Sequence, residues 1–142
     1  MKDRFDSVIL TTSVRCLTPF ILVYGVYVLF HGEYSPGGGF QAGALFGIAV
    51  VLDRLVQARN ATLFIQSSLA VVLAGIGTFV YVFVGIVTLL FKGNFLEYVT
   101  LPFAIHEAER HALGILGIEI GVTICVMATI IIIFDALTRG KE

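Results

Sequence analysis

The stretch LGILGIEIGVTICVMATIIIIFDAL, Leu113 to Leu137, decides the fold. It contains only two charged residues, Glu119 and Asp135. A helix needs about 20 mostly apolar residues to cross a hydrocarbon core of roughly 30 Å, and this run is long enough. Three more runs match it: Val8 to Phe30, Gly38 to Val56 and Leu63 to Phe91. Little chain is left between them. The sequence therefore reads as an all-α integral membrane protein, a single domain over residues 1–142 with four transmembrane helices. Its work is expected to be membrane work.

Composition agrees. The chain is 58% hydrophobic and 13% charged, against about 25% charge in a soluble domain. A net charge of −1 leaves no basic footprint for nucleic acid. The run after Met1-Lys2-Asp3-Arg4 is too long for a signal core and lacks a small-residue cleavage site, so the first helix is expected to be retained. Cys16 and Cys125 both fall inside apolar runs and are expected to stay as free thiols. There is no tryptophan, so an aromatic belt must use residues such as Tyr34 and Tyr98, both near predicted span ends.

Lysine and arginine give the orientation. Lys2, Arg4, Arg54, Arg59, Arg139 and Lys141 fall on one side, against Lys92 and Arg110 on the other. Positive residues stay cytoplasmic, so both termini are expected there, which requires an even number of spans. The longest joint, Lys92 to Ala112, is expected to form a short surface helix or re-entrant turn on the outer face.

Glycine is patterned. Gly39, Gly43 and Gly47 recur every four residues in the second span, and Gly117 and Gly121 do so in the fourth. Such spacing bares a strip of backbone to which another helix can come close, either a sibling span or one from a different subunit. Pro19 in the first span removes one hydrogen bond and is expected to kink it.

Four charged residues stand where hydrocarbon should reject them. Arg15 lies inside the first span, with Asp53 and Asp135 toward the same end. It can serve as an anchor at the inner interface, or pair with either acid. Glu119, between Gly117 and Gly121, must be paired, wetted or protonated. It is either a station on a proton or cation path or a hydrogen-bonding group between helices. The cluster from His106 to His111 spaces its two histidines five apart, where zinc-binding helices place them four apart, so no metal site is expected. It reads as a solvated turn at headgroup level, or else as an entry funnel for cations. Nothing suggests a catalytic residue or a cofactor.

The most specific stretch is YSPGGGFQ, Tyr34 to Gln41. Pro36, Gly37, Gly38 and Gly39 make a tight turn that leads through Phe40 straight into a membrane helix. With Arg15 before Pro19-Phe20-Ile21-Leu22, His31-Gly32, Gly43, His111, Gly114-Ile115 and Ile118-Glu119-Ile120-Gly121, this turn resembles the MnhB-type family found in Mrp (Mnh) multisubunit Na+/H+ antiporters. The resemblance covers nearly the whole chain. Gln41-Ala42 and the early charges Asp53-Arg54 depart from the family pattern. The resemblance implies a small, non-enzymatic accessory subunit in a prokaryotic cell membrane. It would assemble with other membrane subunits into a complex that exchanges sodium, or another monovalent cation, for protons. Related subunits serve in membrane-bound hydrogenases and other redox-driven pumps akin to complex I, which is the alternative reading. A third reading is a pure scaffold in which Glu119 only packs. A stand-alone transporter is disfavoured, because four spans with so few polar groups scarcely build a gated site.

Overall fold

The computed structural model describes residues 8–32, 34, 37–57, 61–91, 93–100 and 106–139. Four helices account for most of them: α1 (Val8–Phe30), α2 (Gly39–Gln57), α3 (Ser67–Leu90) and α4 (Glu107–Arg139). All four are long and apolar enough to cross a membrane. The fold is all-α.

The helices stand in a row rather than a ring. α1 packs on α2, α2 on α4, and α4 on α3, while α1 touches α4 only lightly. Glycine sets each close approach. A Cβ on Gly25 of α1 would collide with the ring of Phe46 in α2. A Cβ on Gly43 would lie 2.7 Å from the Thr123 carbonyl oxygen, and one on Gly47 would lie 3.0 Å from the side chain of Ile130. On the other side of α4, a Cβ on Gly77 would lie 2.6 Å from the Gly121 carbonyl, and one on Gly121 would lie 2.9 Å from that of Gly77. Side chains at these points would hold the helices apart. The bare strip of α2 is thus filled by α4 of the same chain, the first of the two alternatives the spacing left open. Gly117 is different, since a Cβ there would make only ordinary contact with Val84 at 3.5 Å.

Two predicted boundaries move. Hydropathy starts the third span at Leu63, but α3 begins at Ser67. Side chains of α2 capture the intervening backbone: the Leu63 N–H donates to Asp53 Oδ2 at 2.8 Å, and the Ile65 carbonyl accepts from Arg54 Nη2. These groups are satisfied without helical partners, and Leu63 and Ile65 pack onto a small core of Val50, Ala70 and Ile131. Hydropathy starts the fourth span at Leu113, but α4 starts at Glu107. The cluster expected to form a surface turn of its own is therefore the first turn of α4, where Glu107 and Glu109 favourably meet the positive end of the helix. The only separate helical element described in that joint is a single 3-10 turn, Tyr98–Thr100. It is tied down by Arg110, whose Nη1 donates to the Val99 carbonyl at 2.9 Å.

Pro19 lies inside a continuous α1. Cys16 and Cys125 are free thiols.

Candidate functional site

The charged groups of the four helices gather in two layers, one at each end of the row. Between them, no Asp, Glu, Lys, Arg or His occurs in any of the four helices.

The first layer lies at the end shared by the start of α1, the end of α2, the start of α3 and the end of α4. Asp53 is its centre and is only 1% exposed. A buried carboxylate must be solvated by protein donors. Asp53 has Gln57 Nε2 on Oδ1, the Leu63 N–H on Oδ2, and the Thr62 hydroxyl 3.3 Å from Oδ2. Arg15 joins from α1, its Nε donating to Gln57 Oε1 at 2.7 Å. Arg15 therefore meets Asp53 through Gln57 rather than as an ion pair.

Asp135 belongs to Arg54. Arg54 Nη1 lies 2.7 Å from Asp135 Oδ1, and the Ser67 hydroxyl donates to Oδ2 at 2.6 Å. The guanidinium also lies 5.1 Å from the centre of the Phe64 ring, a cation–π contact. Of the two readings open for Arg15, the direct pair with an acid does not form: α2 turns Arg54 toward α4 and leaves Arg15 to a glutamine. Sequence reasoning singled out neither Gln57 nor Arg54 as a site residue. The available signal was spacing, since Gln57 follows Asp53 by four residues on one helix face.

The second layer lies at the α1–α2 turn. Glu119 seats its carboxyl group against this turn. A Cβ on Gly32 would fall 2.7 Å from Glu119 Cδ and closer still to Oε1, and a Cβ on Gly38 would strike Oε1 as well. Gly38 also has φ +113°, a conformation side chains resist. Gly39 meets the Glu119 backbone, and the Thr123 hydroxyl donates to the Gly39 carbonyl at 3.0 Å. So the glycine-rich turn and the acid in α4 form one feature: the bare backbone makes room for the carboxylate beside the positive end of α2. Gly37 is exposed and Phe40 points outward, while Pro36 lies outside the described residues.

α4 continues past this point. From Glu119 back to Arg110 is nine residues, about 13 Å at 1.5 Å per residue, so α4 overtops the α1–α2 turn. A notch of about 130 Å³ lies in this step, with Glu119 on it and Phe30, Leu113 and Leu116 among its walls. The rest of that end is ordered by Thr88, fully buried, whose hydroxyl donates to the Gly85 carbonyl at 2.8 Å and accepts the Leu96 N–H at 3.0 Å. Tyr98 stacks edge-on to His111, and its phenol is pushed above its usual 10.0, first by burial and then by nearby Tyr81.

Along α4, Glu119 and Asp135 are sixteen residues apart, about 24 Å. That depth approaches a hydrocarbon core. Glu119 and Arg15 read from sequence as charges inside their spans; each belongs to a polar layer bounding an uncharged zone. Among the described residues, no three His, Cys, Asp or Glu side chains converge as a metal set.

A family model described as "Domain related to MnhB subunit of Na+/H+ antiporter" matches residues 9–132. The chain belongs to this family. Its relatives include "Putative antiporter subunit mnhB2" of Staphylococcus haemolyticus (strain JCSC1435), 30% identical over 149 positions and covering 100% of both chains. The protein of the same name from Staphylococcus aureus (strain Newman) is 29% identical over 146 positions, again covering 100% of both. The MnhB-related match spans both polar layers as far as Ile132, stopping just short of Asp135.

Proposed function

We propose that this chain is a membrane subunit of a multisubunit Na+/H+ antiporter in a bacterial cell membrane, with both termini cytoplasmic. It contributes a wall to the ion-exchanging assembly and is not an exchanger by itself. The MnhB-related family match over residues 9–132 carries the subunit assignment, and the uncharged zone of about 24 Å between Glu119 and Asp135 supports the passive role. A proton path needs titratable groups or water at short intervals, and a row of four helices encloses no channel for water. An ion crossing at this subunit would have to use groups that partners supply. Glu119 on its notch is the residue of this chain best placed to face such a path. Asp53, Asp135 and Arg15 hold the opposite end together.

Two measurements test this. The purified chain in proteoliposomes is expected to show no Na+-driven proton movement, and measurable exchange by the chain alone would defeat the proposal. In membranes containing the whole assembly, Glu119→Gln is expected to lower antiport while the subunits still co-purify. Loss of co-purification instead would reduce Glu119 to a scaffolding role.

A further inference from the structure

The first polar layer has a side open to the membrane. A groove of about 400 Å³ runs along α1 there, with Arg15, Asp53, Gln57 and Thr62 at its polar end and Pro19 and Leu22 further along. Arg15 is exposed, and among the described residues only its Nε has a partner, Gln57. Among the described residues, neither Nη group meets an acceptor. Asp53 forms no ion pair with them, its oxygens accepting instead from Gln57, Thr62 and the Leu63 N–H.

The order of groups along the groove is informative. Arg15 is level with Gln57, the last residue of α2, and so stands at the edge of the uncharged zone. Pro19 and Leu22 follow on α1, reaching about 10 Å toward the middle of that zone. A cation at the rim with an apolar trough leading inward has the polarity profile of a phospholipid, head at the edge and chain within. A partner helix bearing a carboxylate would satisfy Arg15 but would not require that gradient.

We propose that this groove is a binding site for an anionic glycerophospholipid. Its phosphate is held by the Arg15 Nη groups beside Thr62, and one acyl chain lies along Pro19 and Leu22. The lipid would be a fixed element of the fold that fills the crevice between α1 and the end of α2.

The test uses the full chain in nanodiscs of mixed phosphatidylglycerol and phosphatidylcholine, followed by stepwise delipidation and native mass spectrometry. The wild-type chain is expected to retain phosphatidylglycerol in preference to phosphatidylcholine by about fivefold, the scale of one cation near a lipid surface. Arg15→Gln abolishes that preference, and Arg15→Lys keeps most of it. Leu22→Trp, which fills the trough without touching the charge, lowers retention of both lipids. Unchanged preference in a folded Arg15→Gln chain overturns the proposal. Displacement by inorganic phosphate with no effect of Leu22→Trp would reveal a bare anion site and overturn the lipid assignment. Loss of co-purifying subunits from Arg15→Gln, with lipid preference intact, would place a partner's carboxylate there and overturn it equally.

Discussion

Gly43→Ala adds one carbon at a tight point between α2 and α4, in the middle of their contact. That carbon would lie 2.7 Å from the Thr123 carbonyl oxygen and 2.9 Å from Val126 Cβ. The first obstacle is backbone, which cannot swing aside as a side-chain tip can, so the helices must separate. Overpacking of this kind costs ~1–3 kcal/mol. Separation also stretches the Thr123 to Gly39 hydrogen bond, worth about 0.6 kcal/mol between membrane helices. Gly75 on α3 is the control, since a Cβ there meets nothing within 4 Å. Gly75→Ala should be neutral, or stabilising by up to ~1 kcal/mol through helix propensity. The propensity gain is common to both variants and cancels, so they should differ by about 1.5–3.5 kcal/mol in stability. Thermal unfolding of the purified chain in mild detergent, followed by circular dichroism, reads the difference directly. Because the clash is internal, the loss should appear without any partner subunit. Equal midpoints for the two variants would refute the reasoning, and a defect seen only in the assembled complex would mean that this strip faces another chain.

Other outcomes follow from the same contacts. Asp135→Ala strands the largely buried Arg54 guanidinium and should cost ~3–5 kcal/mol, whereas Arg54→Met combined with Asp135→Leu should cost well under the sum of the single changes; a double-mutant cycle of unfolding midpoints checks this. Gly38→Ala faces both a positive φ and the Glu119 carboxyl, so it should destabilise even more than Gly43→Ala, and pairing it with Glu119→Ala should recover part of the loss. Tyr98 has its phenol pushed upward by burial, so the folded state resists its ionisation: its contribution is complete below pH 10.0 and is lost as pH rises through the higher folded value. Tyr98→Phe should flatten the stability curve above pH 10.0, and parallel wild-type and variant curves there would count against it.

Hydropathy located the spans because apolar length is the dominant signal in a membrane chain. α1 and α2 begin and end within a residue of the runs read from sequence. The errors at α3 and α4 share one cause, since hydropathy does not register who satisfies the backbone. Leu63 to Gln66 is apolar enough to join a span, yet Asp53 and Arg54 hold its N–H and C=O groups outside the helix. Glu107 to His111 is polar enough to be left out, yet its helix-forming residues and acidic first turn continue α4 outward. Choice of partner was even less legible. Whether Arg15 or Arg54 takes Asp135 depends on how α2 is rotated about its axis, and residues 81 positions apart leave no local trace of that. The link between the glycine turn and Glu119 was hidden for the same reason. Each was conspicuous alone, but only the docking of α4 shows that one is the seat of the other.

Four helices standing in file have two broad flanks and no inside. Such a fence can divide or complete a space, but it cannot shut one. Lipid tails can cover those apolar flanks without penalty, so any space enclosed around an ion has to be completed by a surface from another chain.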